Sequence, residues 1–203
     1  PTVSYAVDSD TADYNGYNLS YIDGEMQFFV DTKTSRRVRF QLGLPGIHNV
    51  SNALACIALL DRLGLPMAEI QRGLASFKGV KRRFDVQIKT SDLVYIDDYA
   101  HHPEELKSLI DSLRMMYPEQ KISAVFQPHL YTRTRDFGNA FSEQLSRFDS
   151  LILLPIYPAR EREIIGVSSE WLISMVHLKN KEVLSATSVL EAMKEKTKGV
   201  VVT

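Results

Sequence analysis

The sequence predicts an α/β protein in which a hairpin-rich first part is followed by alternating strands and helices. Strand-forming residues and turn dipeptides fill residues 1 to about 42, and from Phe84 onward apolar strand patterns alternate with helical periods. Near-continuous apolar strands such as residues 151–154 are typical of a mostly parallel sheet that is covered on both faces. We therefore expect such a sheet in the second part of the chain.

The first part contains two turn dipeptides, Asn-Gly at 15–16 and Asp-Gly at 23–24, each flanked by apolar or aromatic residues. Such pairs favour the tight turns of β-hairpins. Residues 1–42 are therefore predicted to form a meander of hairpins, which the run GLPG at 43–46 ends.

A helical period follows, with apolar residues three and four positions apart over 50–60. Gly64 and Pro66 end this helix, and a short second helix is predicted over 67–77. The basic run KGVKRR at 78–83 then reads as a connector. We place a domain boundary there.

The second part alternates regularly between the two kinds of element. Strands are predicted near 84–89, 93–97, 121–126, 150–154, 182–184 and 199–203. Helices are predicted near 103–116, 134–147, 168–178 and 187–197.

Composition excludes several classes of function. The 203 residues carry 24 basic and 25 acidic side chains, so the net charge of −1 gives no bulk attraction to nucleic acid or anionic membrane. No apolar run approaches the ~20 residues that span a bilayer. Cys56 is the single cysteine, which excludes an intrachain disulfide and a multi-cysteine metal site. We expect a cytoplasmic protein with no nucleic-acid or membrane partner.

Polar residues follow three successive predicted strands. The runs are DDYAHHP at 97–103, QPHLYTRTR at 127–135 and PIYPARE at 155–161. Because ligands bind at the carboxyl ends of strands in parallel sheets, three polar loops at one sheet edge indicate a binding site more strongly than any one of them alone.

Some of these residues have simpler explanations. Adjacent histidines such as His101 and His102 rarely chelate one ion, so no metal site is predicted. Asp97 and Asp98 could form a general acid–base pair, but one is better explained as a cap and the other as an acceptor for a hydroxyl group.

A further polar run, GIHNVSN at 46–52, opens the first helix. Asn49 or Ser51 could simply cap that helix. The sequence contains neither G-x-x-x-x-G-K-[ST] nor G-x-G-x-x-G, so it offers no recognisable cradle for a triphosphate. The residues alone support a ligand-binding α/β domain with anionic specificity.

Five motifs in chain order resemble those of the Mur ligases, the ATP-dependent amide ligases that build the peptidoglycan stem peptide. They are GIHNVSNALA at 46–55, RRF at 82–84, DDYAHHP at 97–103, FQPHLYTRT at 126–134 and YPA at 157–159. The last two resemble the family member that uses L-alanine. The resemblance covers essentially the whole chain.

The resemblance implies a domain organisation. Residues 1–80 would be the second half of the central ATPase domain, and 81–203 would be the Rossmann-like C-terminal domain, truncated at its end. A strand pattern at 199–203 also lacks the helix that should cover it. We therefore expect an excised C-terminal fragment that lacks the phosphate loop and the UDP-binding domain.

The resemblance also implies roles in ATP binding. His48 and Asn52, with Asn49 beside them, would contact the adenine side. Arg83 would contact the phosphates, and Asp98 would accept hydrogen bonds from the ribose hydroxyls.

A second set of residues would bind the substrate. His129 and Arg133 would face the muramoyl or alanyl carboxylate, where a planar guanidinium suits bidentate recognition. His102 and Tyr157 would line the same pocket. Leu130 stands where this ligase commonly has arginine, so Arg133 or Arg135 would carry more of the anion binding.

The implied reaction joins L-alanine to UDP-N-acetylmuramate through an acyl phosphate, with ATP as phosphoryl donor. Mg²⁺ and the phosphate-loop lysine would lie outside this chain, so no catalytic residue is assigned within it and the chain alone is predicted to be inactive. Two alternatives stay open: a ligase that recycles a murein tripeptide, and a non-catalytic nucleotide-binding module. A homodimer of the parent protein is also left open.

Overall fold

The computed structural model describes residues 2–22, 24–194 and 198–203. The chain divides into two compact units, Pro1–Gly79 and Val80–Thr203, each with its own hydrophobic core. The turn residue Asp23 and the end of the predicted helix 187–197, residues 195–197, lie outside the described residues. Within the described ranges, no helix is both long and apolar enough to cross a membrane.

The first unit is a four-stranded sheet with two helices. Its strands, in the spatial order β1-β2-β3-β4, are Tyr5–Val7, Tyr14–Ile22, Glu25–Asp31 and Val38–Leu42. The helices are α1, Ile47–Arg62, and α2, Met67–Ser76. Burial alternates along β3, where Met26, Phe28 and Val30 are buried. These side chains form one core with the apolar face of α1, as the helical period over 50–60 predicts.

The prediction of a turn at residues 15–16 is wrong. Asn15 and Gly16 lie inside β2, and β1 pairs with β2 in parallel rather than as a hairpin. A Cβ atom on Gly16 would lie 2.9 Å from Cδ1 of Leu54, so this glycine lets α1 approach the sheet backbone. The meander is retained only for β2, β3 and β4, which pair antiparallel, with Gly24 at a φ of 89° beside the first turn.

The second unit is a six-stranded sheet in the order β5-β6-β10-β7-β8-β9. Its strands are β5 Asp85–Lys89, β6 Leu93–Asp97, β7 Ile122–Phe126, β8 Ser150–Leu153, β9 Lys181–Val183 and β10 Gly199–Val202. Only the edge strand β5 pairs antiparallel with its neighbour; the other pairs are parallel. The predicted α/β fold class with a mostly parallel sheet is therefore confirmed.

The helices of this unit differ in how far they are buried. They are α3 Pro103–Met116, α4 Tyr131–Asp136, α5 Gly138–Leu145, α6 Ser169–Met175 and α7 Ala186–Lys194. Helices α3, α5 and α6 contribute buried side chains to a core with one face of the sheet. Helix α7 has no buried residue, and its side chains line a cleft with the other face. The expected cover on both faces is thus incomplete in the described part of the unit.

The predicted helix 134–147 is broken into α4 and α5. Phe137 leaves the helical conformation at φ −113° and ψ 16°, between the two helices. Gly138 packs so closely beneath Trp171 of α6 that a Cβ atom would lie 2.5 Å from Cη2 of the ring. The helical segment also begins earlier than predicted, at Tyr131, which places Arg133 on a helix instead of in a loop.

Candidate functional site

A cleft of about 630 Å³ opens at the carboxyl ends of the parallel strands of the second unit. Its floor is apolar and includes Leu93, Val125 and Val201 of the sheet and Leu190 of α7. Its rim is polar, with carboxylates, imidazoles and an amide contributed by the residues that follow β6 and β7. This is the edge at which ligands bind in parallel α/β sheets.

The two carboxylates at the end of β6, Asp97 and Asp98, have different environments. Both oxygens of Asp98 accept main-chain hydrogen bonds, from Phe84 N–H at 2.7 Å and Ala100 N–H at 2.8 Å. Burial raises the pKa of Asp98, while these two donors and the charge of Arg83 oppose that increase. Among the described residues, the ion-pair partner of Asp97 is the Arg82 guanidinium, at 3.8 Å, and no donor hydrogen-bonds to its carboxylate. Asp98 therefore fixes the turn after β6, and Asp97 is the more available acceptor.

Aromatic and cationic groups form one wall of the cleft. The guanidinium of Arg82 lies 4.7 Å from the ring centroid of Tyr99. Arg82 has a φ of 60°, and its carbonyl accepts a hydrogen bond from Tyr99 N–H at 2.8 Å. The next residue, Arg83, is exposed and forms no ion pair with any carboxylate in the described ranges. Arg83 is thus a cation left available to an anionic ligand.

The adjacent histidines play separate roles. His102 is the N-cap of α3: its Nδ1 accepts a hydrogen bond from Glu104 N–H at 3.4 Å, and Glu105 accepts one from His102 N–H. His101 lines the cleft, and its Nδ1 lies 2.8 Å from the carbonyl oxygen of Tyr99. His101 thus faces the cleft while His102 supports the helix, and the assignment of His102 to a substrate pocket stays a prediction.

The loops after β7 and β8 are joined at His129 and Tyr157. The two residues form a parallel β-bridge, and their rings stack with centroids 5.1 Å apart. Nδ1 of His129 is buried and has no hydrogen-bond partner among the described residues. Burial lowers the pKa of His129, and the charges of Arg133 and His101 lower it further. At neutral pH His129 is therefore a neutral donor or acceptor rather than a cation.

Arg133 lies where three loops meet. It is half-buried on α4, and its Nη1 donates to the carbonyl oxygen of His101 at 3.4 Å. It forms no ion pair with any carboxylate that the structure describes, whereas Arg135 is paired with Asp136. A guanidinium that is held in place but not neutralised is suited to bind a carboxylate or phosphate.

The residues predicted for the adenine side belong to the first unit. His48 and Asn52 are both exposed and lie four residues apart on α1, so they share one face of the helix. The side-chain amide of Asn49 donates to the carbonyl oxygen of Pro45 at 2.7 Å. The expectation that Asn49 or Ser51 caps α1 is wrong, because Gly46 is the N-cap and no side chain caps the helix; Asn49 instead holds the turn before it.

A metal site within the described residues would need a cluster of ligand side chains. No three histidine, cysteine, aspartate or glutamate side chains among them are grouped so as to hold a metal ion. The cleft presents carboxylate acceptors, the imidazoles of His101 and His129 and the guanidinium of Arg82 at the edge of an apolar floor.

The fold and this strand-end cleft define a parallel α/β domain with a candidate ligand site at its sheet edge. A family model described as the Mur ligase, glutamate ligase domain matches residues 82–202, more than half of the chain, which therefore belongs to that family.

Within this family, the chain is most usefully compared with relatives of higher sequence identity. The chain is 44% identical over 195 residues to a UDP-N-acetylmuramate–L-alanine ligase of Flavobacterium psychrophilum, and 42% identical over 201 residues to that of Flavobacterium johnsoniae. The alignments cover 96% and 99% of this chain but 44% of each relative. The chain thus spans less than half the length of the curated relatives it matches.

Solved structures support the same comparison. The crystal structure of UDP-N-acetylmuramate-alanine ligase from Thermotoga maritima matches with a TM-score of 0.81 at 26% identity, over 98% of this chain and 43% of that one. A murein peptide ligase from Psychrobacter arcticus matches with a TM-score of 0.60 at 18% identity, over 98% of this chain and 41% of that one. At that identity the second match shows a shared fold alone.

His101 lines the cleft, although the sequence analysis gave it no role in ligand binding. A signal for it was present: Pro103 suits the first position of a helix, and Glu105 suits the third. Together they predict that residue 102 is the N-cap. Residue 101 then lies before the helix, where its side chain can face the cleft. No comparable local signal placed Arg133 on a helix.

Proposed function

We propose that this chain forms part of an ATP-dependent ligase that joins L-alanine to UDP-N-acetylmuramate. The observation that carries the proposal is the Arg133 guanidinium, which is fixed among three loops yet paired with none of the described carboxylates. The similarity to ligases of that name over nearly the whole chain supports this choice of reaction.

The substrate carboxylate would bind at Arg133. His129 would donate or accept a hydrogen bond as a neutral imidazole, and its stacking partner Tyr157 would line the pocket. His102 would act mainly through the capping of α3, because its Nδ1 is already engaged there. His101 joins this set because it lines the cleft and its carbonyl holds Arg133.

ATP would be bound by two groups of residues. In the first unit, His48 and Asn52 would contact the adenine side, with Asn49 supporting the helix that carries them. In the second unit, Arg83 would contact the phosphates. Asp98 could accept from a ribose hydroxyl only with the lone pairs that Phe84 and Ala100 leave free, which makes Asp97→Asn an informative comparison for Asp98→Asn.

In the proposed reaction, a carboxylate oxygen of the substrate attacks the γ-phosphorus of ATP, and ADP leaves. The amino nitrogen of L-alanine then attacks the acyl carbon, loses a proton, and displaces phosphate. Bound Mg²⁺ would neutralise charge on the phosphates, and its ligands are sought outside the described residues. Residues of this chain would orient the carboxylate and neutralise developing charge.

The proposal places this activity in the cytoplasm. It also includes a homodimer of the whole protein.

The test uses the polypeptide encoded by the whole gene, with ATP, Mg²⁺ and UDP-N-acetylmuramate. We expect ADP release on addition of L-alanine and none on addition of a murein tripeptide. Release with the tripeptide alone would indicate the recycling reaction, and no release with either would leave a nucleotide-binding module. The matched variants are Arg133→Met, which should raise the KM of a carboxylate substrate, and Arg135→Met, which should not because Arg135 is already paired with Asp136.

The 203-residue chain alone should not turn over ATP, because its sequence contains no phosphate loop. ADP release by this chain above that of its Arg83→Ala variant would contradict the expectation.

A further inference from the structure

The loops after β7 and β8 are hydrogen-bonded into one body. Leu130 N–H donates to the carbonyl oxygen of Tyr157 at 2.9 Å, and Tyr157 N–H donates to that of Pro128 at 2.8 Å. These bonds bring the second loop against the start of α4. A side chain from the second loop is therefore able to act on the helix that carries Arg133.

Glu161 is the charged side chain that makes this connection. Its Oε2 accepts a hydrogen bond from Thr132 N–H at 3.0 Å, and its Oε1 accepts one from the Thr132 hydroxyl. Thr132 is the second residue of α4, where main-chain N–H groups have no partner within the helix. The Thr132 hydroxyl and N–H lower the pKa of Glu161, so the carboxylate is ionised at neutral pH.

The entrance to α4 needs such support. Leu130, directly before the helix, has a φ of 74°, a left-handed conformation that a leucine rarely adopts. The Thr134 hydroxyl donates to the Leu130 carbonyl at 2.8 Å and holds that residue from the helix side. Glu161 holds the following turn from the loop side, immediately before Arg133. The direction of the Arg133 side chain thus depends on contacts made by its two neighbours in the chain.

We infer that Glu161 is a positioning residue, which fixes α4 through Thr132 so that the Arg133 guanidinium points at the carboxylate of the substrate. The inference rests on the proposed function and deepens it. Glu161 itself touches no substrate in this scheme. Its loss should therefore weaken the binding of one carboxylate substrate and leave the chemical step and ATP binding intact.

The kinetic test measures KM and kcat for ATP, UDP-N-acetylmuramate and L-alanine with the whole-gene polypeptide. We expect Glu161→Gln to raise the KM of the same carboxylate substrate as Arg133→Met does, by about tenfold, as weakening one charge-assisted hydrogen bond predicts. The double variant should be no worse than Arg133→Met alone. Thr132→Val should weaken binding in the same way, and Thr132→Ser, which retains the hydroxyl, should restore it.

Glu163 provides the matched control, since it lies in the same loop and hydrogen-bonds to the phenol of Tyr131 instead of to Thr132. Glu163→Gln should leave all three KM values unchanged. Equal increases in all three KM values for Glu161→Gln, a fall in kcat alone, or full additivity with Arg133→Met would each overturn the positioning role.

A second measurement does not depend on activity. The charge of Arg133 lowers the pKa of His129 and the charge of Glu161 raises it, so displacement of these side chains should shift that pKa. Thr132→Val changes no charge, and an NMR titration of His129 in the 203-residue chain should show the shift, with Thr132→Ser as control. An unchanged His129 titration in Thr132→Val would refute the inference. Absence of ligase activity in the wild-type polypeptide would refute the proposed function, and the titration would still decide the role of the Glu161–Thr132 contact.

Discussion

The two faces of the six-stranded sheet differ in what their side chains do. One face is packed against α3, α5 and α6, and residues such as Ile110, Leu113 and Phe141 are completely buried there. The other face lines the cleft with α7, whose Leu190 is 70% exposed. Stability is therefore concentrated on one face, and the other face with the strand ends beside it is available for binding.

The largest test of this difference is a pair of truncations. Phe141→Ala should reduce the free energy of unfolding by about 3–5 kcal/mol, because a large cavity is left in the packed face. Leu190→Ala should change it by no more than about 0.5 kcal/mol, as for other exposed positions. Trp171 is the single tryptophan and lies in this unit, so its fluorescence in urea reports both values. Similar losses for the two variants would show that the faces do not differ as described.

A smaller effect is expected at Gly138, where α5 approaches α6. A Cβ atom there would lie 2.5 Å from Cη2 of Trp171 and 3.1 Å from Cε of Met175. Gly138→Ala should therefore cost about 1–3 kcal/mol through overpacking, despite the higher helix propensity of alanine. Urea unfolding measures the loss, and Gly73→Ala, where the new methyl group meets nothing within 4 Å, is the control. A stabilised Gly138→Ala variant would mean that the contact is loose.

The N-cap of α3 lies where the packed region meets the cleft, because His102 caps the helix while its neighbour His101 faces the cleft. His102→Ala should cost roughly 0.5–1 kcal/mol by removing a long capping bond. His102→Asn should be neutral or stabilising, since asparagine is a stronger cap. Thermal unfolding of the two variants separates capping from any other role. Equal destabilisation by both would assign the effect to the ring contact between His102 and Phe137 instead.

The smallest effect is a pH dependence at the cleft. The pKa of His129 is lowered from 6.5 in the folded state, so its contribution to stability is present above pH 6.5 and is lost as the pH falls through the folded pKa. The urea midpoint, followed by Trp171 fluorescence, should therefore fall less between pH 7.5 and pH 5.5 in His129→Gln than in the wild type. An unchanged difference between the two pH values would show that His129 is not desolvated at the cleft.

The sequence predicts elements well where the signals are local. Helix α3 has the predicted bounds, because Pro103 marks its start and the apolar residues from Leu106 to Leu113 keep a helical period. The break between α4 and α5 lies beside Gly138, whose contact with Trp171, more than thirty residues away, could not be read from the local pattern. The turn prediction at Asn15-Gly16 was wrong for the same reason, since Gly16 allows a close contact with Leu54 on another element.

The candidate site shows the same division. Polar residues after three successive strands predicted its position at the sheet edge, because strand direction alone brings those loops together. The choice between His101 and His102, or between Asp97 and Asp98, depends on which main-chain N–H groups donate hydrogen bonds to each side chain. That information comes from tertiary contacts such as Asp98 with Phe84. The individual roles in ATP and substrate binding stay predictions.

The position of β10 has a consequence for how the second unit is synthesised. Residues 199–202 form a strand between β6 and β7, which precede it by about a hundred and by more than seventy residues. On the ribosome, the facing edges of β6 and β7 therefore emerge long before the strand that will separate them. Until β10 arrives, the nascent unit exposes two unpaired edges rich in apolar residues. The sheet is therefore completed late, by insertion of β10 into its middle and not by addition of a strand at an edge. During this interval the exposed edges of β6 and β7 are the part of the nascent unit most in need of chaperone binding.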